Sequence, residues 1–275
     1  TRLTAVTGVQ TCALPIWAIK RRSDNQPAAV KIHLKLDTGM HRLGFEKTDI
    51  EPLAEQLCAI KEITVQSVFS HLAGSEDPGM DEFTRQQIDC FRRMTDELTK
   101  RLGYPVLRHI LNSAGISRFP ESQFEMVRLG ISLYGISSDP GVQNSLETVS
   151  SLKTSISQIK KIRKGDTVGY NRRWKAEKES VIATIPVGYA DGLSRRLGNG
   201  RGKMMVNGHI VPVAGNICMD MTMLDITGVY ANEGDEVVVF GSEMPITRLA
   251  QAMDTIPYEI LTGISRRVKR VYFQE

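Results

Sequence analysis

Lys31-Ile32-His33-Leu34-Lys35-Leu36-Asp37-Thr38-Gly39-Met40-His41-Arg42-Leu43-Gly44 changes character halfway along. Its first seven residues alternate strictly, with Ile32, Leu34 and Leu36 on one side and Lys31, His33, Lys35 and Asp37 on the other, which predicts a β-strand buried on one face. Downstream, residues 48–63 suit a helix and 64–70 a strand ending at His71. Residues 81–102 place Phe83, Phe91, Met94 and Leu98 at helical spacing, with Asp81 and Glu82 in the first turn. A short strand at 107–111 leads into Asn112-Ser113, and another at 126–129 leads into Gly130-Ile131. Strand and helix in alternation predict parallel strands whose C-terminal ends collect polar residues, and function is expected there.

After about residue 149 the pattern changes. Residues 154–162, 180–187, 203–213, 221–226 and 236–240 read as short strands separated by Gly, Asn and Asp, and Asn207-Gly208 is a two-residue hairpin signal. Helical turns at 247–253 and 258–261 precede a final strand at 267–273. The expected organisation is α/β followed by mostly antiparallel β, with a boundary near residue 148. Residues 1–16 have neither a sustained period nor signal-peptide anatomy and read as a scar foreign to the fold.

Composition narrows the class. The 275 residues carry 35 Lys+Arg against 31 Asp+Glu, a net +4, with 41% hydrophobic and 24% charged residues, which excludes a disordered chain and a coiled coil. That charge is too small to indicate nucleic acid, and Arg195-Arg196 and Lys269-Arg270 are isolated pairs without interleaved aromatics. The longest apolar runs, such as Val237-Val238-Val239-Phe240, fall far short of a membrane span, so a soluble protein is expected. Cys12, Cys58, Cys90 and Cys218 form no Cys-x-x-Cys pair, which argues against a zinc or disulfide framework and for a reducing cytoplasm, with no metal site.

The polar face of the first strand is the most informative feature. Lys35 on an inward face, followed by Arg42, brings two cations together. Lys35 has a depressed pKa, or Asp37 offsets it, or it is modified to an anion; the plainer alternative is that Lys31 and Lys35 line a solvated edge.

Lys35 to Gly44, Asn112-Ser113-Ala114, Met126-Val127-Arg128-Leu129-Gly130-Ile131, Val168-Gly169-Tyr170, Gly188-Tyr189-Ala190-Asp191-Gly192 and Cys218-Met219-Asp220 resemble six motifs of bacterial alanine racemase, in that family's order. The resemblance covers roughly residues 18–275. It implies a pyridoxal 5'-phosphate enzyme that interconverts L- and D-alanine for peptidoglycan, built from a (β/α)8 barrel and a β domain, and working as a head-to-tail homodimer. Racemisation moves the Cα proton from one face to the other, so two acid/base groups must flank the reacting carbon. By resemblance Tyr170 is one of them, reaching into a partner's barrel. A phenol is a poor base at neutral pH unless cations stabilise its anion, and the resemblance gives that task to His71 and Arg128, with Arg128 also donating to the cofactor's pyridine nitrogen. Ser113, Gly130 and Ile131 are expected at the cofactor phosphate, Arg42 and Met219 at the substrate carboxylate, and Tyr189 at the mouth of the substrate channel. The resemblance makes Lys35 a carbamylated lysine that orients Arg42; carbamylation turns +1 into −1 and repulsion into an ion pair.

The chain also departs from the family. Its cofactor lysine belongs to a Val-Lys-Ala-Asn-Ala-Tyr-Gly-type motif, and nothing here matches it; Lys20, in Ile19-Lys20-Arg21-Arg22, has a different context. The expectation is therefore a fragment: residues 17–148 as the C-terminal half of the barrel, about its last four βα units, and 149–275 as the β domain, inactive by itself. Asn216 stands where an arginine is common, and Arg266 where some relatives have a tyrosine. The competing readings are a racemase of another amino acid on the same fold and a non-catalytic dimerisation or binding domain.

Overall fold

A computed structural model of the chain describes residues 30–273. The scar expected at 1–16 and Lys20 lie outside the described residues. The chain divides between Glu147 and Thr148 into two units.

In the first unit β1 (Val30–Lys35), β2 (Ile63–Phe69) and β3 (Leu107–His109) pair in parallel in that order. Parallel neighbours need crossovers, supplied by α1 (Ile50–Ala59) and α2 (Asp81–Leu102). The alternation of β1 holds, because Leu34 and Leu36 join Leu53 and Leu57 of α1, Val65 and Val68 of β2, and Phe91, Met94 and Leu98 of α2 in one core. Each such side chain, removed from water, contributes about 1.5–3 kcal/mol. Helix α2 opens on Asp81 and Glu82 and closes on Lys100, Arg101 and a left-handed Gly103, so charge and cap both match its dipole.

Local structure in the first unit departs from expectation in three places. Helix α1 stops at Ala59 rather than running to 63, because Ile60 is extended (φ −111, ψ 95) and Ile63 N–H turns back to its carbonyl before β2 begins. Strand β3 ends at His109, two residues before the expected 111. Residues 126–129 form no strand. Their backbone link to the β3 segment is Arg128 N–H to Leu111 O (3.0 Å), and the neighbouring carbonyls bond instead to the Arg128 side chain, as described below.

The second unit is antiparallel throughout. β10 (His209–Pro212), β9 (Lys203–Val206), β12 (Glu236–Phe240) and β4 (Leu152–Ser155) form one sheet, and β11 (Thr222–Asp225), β8 (Ser180–Ile185) and β5 (Gln158–Ile162) another. The strand expected over 154–162 is thus two strands in two sheets, parted at buried Ile156. Asn207-Gly208 forms the β9–β10 hairpin with positive φ at both residues, 47° and 77°. A two-residue pair, β6 (Thr167–Val168) with β7 (Trp174–Lys175), precedes β8. Helices α4 (Ile246–Met253) and α5 (Pro257–Gly263) follow α3 (Ser113–Arg118) of the first unit in chain order. The final strand expected at 267–273 is absent; those residues turn and run irregularly, and Arg267 is spent on two carboxylates instead. No helix among the described residues is long and apolar enough to cross a membrane.

Candidate active site

The C-terminal ends of β1, β2 and β3 carry the candidate residues of the first unit. After β1 the chain folds back on itself: Asp37 Oδ1 accepts from Gly39 N (2.9 Å) and His41 N (3.0 Å), and Phe45 N returns to Lys35 O (2.9 Å). Gly44 closes this loop at φ +126, where a Cβ would lie 2.6 Å from the backbone of Leu36 and Asp37. Ser70 donates to Leu36 O (2.8 Å), so Thr38 is the donor in its 2.8 Å bond to Ser70 Oγ. These bonds tie the Arg42 loop to the end of β2.

His71 follows directly. Its backbone carbonyl accepts from Gln87 Nε2 (3.3 Å), while Gln87 Oε1 accepts from Ala73 N (2.9 Å), so one buried side chain of α2 pins the turn. Burial first, and then the charges of Arg128, Arg42 and Lys35, push the His71 pKa from 6.5 to about 4. His71 is therefore neutral at pH 7, and the positive charge beside it is that of Arg128. Arg128 Nη2 lies 3.3 Å from His71 Nδ1. A guanidinium only donates, so Nδ1 accepts and His71 carries its proton on Nε2.

Arg128 is half-buried and bonded at almost every donor. Nη2 donates to Ser70 O (2.6 Å) and Nη1 to His109 O (3.0 Å) and His109 Nδ1 (2.6 Å), and the guanidinium lies 5.3 Å over Phe69. Burial lowers its pKa, but a guanidinium keeps its proton. Its Nε–H makes no hydrogen bond among the described residues. Beside it, Asn112 rather than Ser113 caps α3, its Oδ1 accepting from Gly115 N (2.9 Å). Ser113 Oγ accepts from Gly130 N (2.8 Å) and Ser132 N (3.4 Å). Ile131 is the first residue of the one-turn 3-10 helix Ile131–Tyr134, so its N–H has no acceptor within that helix.

The second unit presents its candidates on turns. Tyr170 is 68% exposed, between left-handed Gly169 (φ +76) and Asn171 (φ +60). Asn216 Nδ2 donates to Tyr170 O (3.1 Å) and Asn216 Oδ1 accepts from Asn199 (3.0 Å). In the sequence Asn216 is marked only as a departure from the family, and nothing there signals its hold on the Tyr170 backbone. Tyr189 N and Ala190 N donate to Cys218 O and Met219 O, both at 3.0 Å. Gly188 allows that approach, since a Cβ there would meet Met219 O at 2.3 Å. Arg267 fastens the same two turns, through Asp191 (2.6 Å) and Asp220 (2.5 Å), and Asp191 also accepts from Gly188 N (2.8 Å). The Arg267 bond first, helped by Gly188 N–H, holds the Asp191 carboxyl below the usual range against the effect of burial. Tyr170, Met219, Val168, Cys218 and Met223 line one groove of about 750 Å³. Arg266 is exposed. No group of three or more possible metal ligands occurs among the described residues.

Parallel strands with crossover helices, on a chain that continues into an antiparallel β unit, define an α/β plus β protein, with Lys35, Arg42 and Arg128 gathered at the strands' C-terminal ends. Residues 12–138 match the family described as alanine racemase, N-terminal domain, and residues 149–272 that described as alanine racemase, C-terminal domain. The chain is 40% identical over 255 residues to alanine racemase 1 of Clostridium acetobutylicum, covering 89% of this chain and 65% of that protein. It is 41% identical over 259 residues to the alanine racemase of Sorangium cellulosum, covering 90% and 67%. Among solved structures, the alanine racemase from D-cycloserine producing Streptomyces lavendulae aligns with a TM-score of 0.88 at 34% identity, covering 94% of this chain and 71% of that one. The alanine racemase from Bartonella henselae with covalently bound pyridoxal phosphate aligns at 0.82 and 30%, with coverage of 94% and 71%. The chain belongs to the alanine racemase family and has its fold, a barrel domain plus a β domain. It spans about two thirds of the length of these curated relatives, 65% and 67%.

Proposed function

We propose that the protein carrying this chain interconverts L-alanine and D-alanine with pyridoxal 5'-phosphate, supplying D-alanine for peptidoglycan in the cytoplasm, and that it acts as a head-to-tail homodimer. The observation that carries this reading is the grouping of Arg128 and Arg42 around a buried, neutral His71, within a chain of this family. Residues 17–148 are read as the C-terminal half of the barrel and 149–275 as the β domain.

The donors present fit the cofactor. Ser113 Oγ accepts two N–H bonds and no acceptor for its own proton occurs among the described residues, so the O–H, with Ile131 N–H and the adjoining Gly130 backbone, suits a phosphate. Arg128, whose Nε–H makes no bond among the described residues, would donate to the pyridine nitrogen and, because a guanidinium does not give up its proton, would leave that nitrogen unprotonated. When bound, the cofactor supplies the electron sink that makes the Cα proton of the amino acid acidic.

The remaining work falls to this chain's residues. Tyr170 Oη takes or returns the Cα proton on one face. His71, fixed by Arg128 as a donor at Nε2, hydrogen-bonds the phenolate and lowers its proton affinity, with the positive charge residing on Arg128. Arg42 and the Met219 backbone hold the substrate carboxylate, Tyr189 narrows the channel mouth, and a carbamylated Lys35 orients Arg42 by replacing like-charge repulsion with attraction.

The second base is a lysine in this family, and these 275 residues hold no counterpart of its motif. The isolated chain is therefore expected not to racemise alanine, whereas the chain joined to a lysine-bearing barrel half from a relative is expected to do so. Turnover by the chain alone, or none by a folded, cofactor-bound chimera, contradicts the reading.

A further inference from the structure

The ladder between β1 and β2 contains an irregularity that bears on Arg128. Pairing runs Ile32 to Val65 and then His33 to Ser67, leaving Gln66 as an extra residue. A bulge re-aims the side chains that follow it, and here it brings Ser67, fully buried, between two imidazoles. Ser67 Oγ is 2.6 Å from His33 Nδ1 and 3.1 Å from His109 Nε2. His109 stacks on Phe69 (5.2 Å, 4°) and meets Arg128 Nη1 through Nδ1 at 2.6 Å.

The direction of this string is fixed from one end. Arg128 only donates, so His109 Nδ1 accepts. Burial first, then Arg128 and His33, hold the His109 pKa at about 4. A neutral imidazole that accepts at Nδ1 carries its proton on Nε2, which therefore donates to Ser67 Oγ. The hydroxyl has then received one bond and turns its own proton to His33 Nδ1. Each link runs the same way, from Arg128 through His109 and Ser67 to His33. The proposed reaction assigns no role to Ser67, His33 or His109.

We propose that Ser67 is a positioning residue for Arg128, acting through His109: by accepting from His109 Nε2–H and donating to His33, it locks the imidazole that holds the guanidinium in place. The functional consequence rests on the reading of Arg128 as facing the cofactor; the direction of the hydrogen bonds does not. Without the hydroxyl, His109 keeps a buried N–H with no acceptor, and its ring is free to turn away from Arg128.

Imidazole nitrogen NMR on the ¹⁵N-histidine-labelled chain at pH 7 tests this directly. The expected spectrum has His109 protonated at Nε2 alone and His33 unprotonated at Nδ1. In Ser67→Ala the His109 Nε2–H exchanges with water about tenfold faster, the equivalent of one net hydrogen bond, and Ser67→Thr, which keeps the hydroxyl, restores slow exchange. In the lysine-bearing chimera Ser67→Ala lowers kcat about tenfold while KM for alanine holds. A proton on Nδ1 of His109 or His33, or unchanged exchange and kcat in Ser67→Ala, overturns the proposal. If Ser67→Ala does not fold, the wild-type tautomers decide. A wild-type chimera that shows these tautomers but never binds pyridoxal phosphate removes the proposed function and leaves the hydrogen-bond string standing.

Discussion

The two units hold their candidate residues by different means. In the first, charged and polar side chains are bonded into the backbone: Arg128 reaches Ser70 O and His109 O, Thr38 and Ser70 tie two loops, and Gln87 pins the His71 turn. In the second, Asn216, Asp191 and Arg267 join backbone bonds and close glycine contacts in fixing the turns, while the candidate side chains themselves, Tyr170 and Met219, stay exposed, at 68% and 54%. The contrast separates side chains already held by hydrogen bonds from side chains left free on firm turns, which is the arrangement the proposed function requires. Preorganised donors cost no rearrangement at the moment of reaction; presented side chains keep their freedom until contact.

Breaking the first arrangement should cost most. Arg128→Ala leaves three carbonyls, of Ser70, His109 and Ile110, and two imidazole nitrogens, of His71 and His109, without a charged donor, with an expected loss of about 3 kcal/mol in the first unit, read from urea unfolding. Arg128→Lys keeps the charge without the fork and should recover less than half of it. In the second unit Gly188→Ala places a Cβ against Met219 O and should cost roughly 2–3 kcal/mol, seen as an earlier denaturant midpoint for that unit.

Acid should sharpen the contrast. His71 and His109 have folded pKa values of about 4 against about 6.5 unfolded, so between these values the unfolded chain binds more protons. The stability they confer is complete above pH 6.5 and is lost as pH falls toward 4. After solvent screening is allowed for, the first unit should lose roughly 1 kcal/mol per imidazole between pH 7 and pH 5, measurable by denaturant titration at the two values. Arg267→Ala should have the smallest effect. Its pairs, one with the buried Asp191 and one with the exposed Asp220, predict a slightly earlier denaturant midpoint at neutral pH. Because the Asp191 pKa is lowered in the fold, that difference should disappear as acid protonates the carboxylate.

Much of the fold was legible because apolar spacing reports burial. Strand β1 and helix α2 follow from alternation and from Phe83, Phe91, Met94 and Leu98. Residues 126–129 look like another strand from their composition, but a strand also needs a ladder, and Arg128 takes the neighbouring carbonyls with its side chain. The terminal segment misled for a similar reason, since Arg267 is engaged by Asp191 and Asp220, residues 76 and 47 positions away. The candidate residues were found by motif, whereas their supports were not. Asn216, His109, Ser67 and Asp191 act through contacts between distant positions, and a bulge such as that at Gln66 leaves no periodic trace.

The central claim is that Tyr170 handles the Cα proton on one face only, under the control of His71 and Arg128. Deuterium exchange at Cα of L-alanine and of D-alanine in D₂O, catalysed by the lysine-bearing chimera with Tyr170→Phe, tests it most directly. The account predicts that exchange is abolished for one enantiomer and persists for the other through the lysine; equal rates for both, or exchange undiminished from wild type, would contradict it.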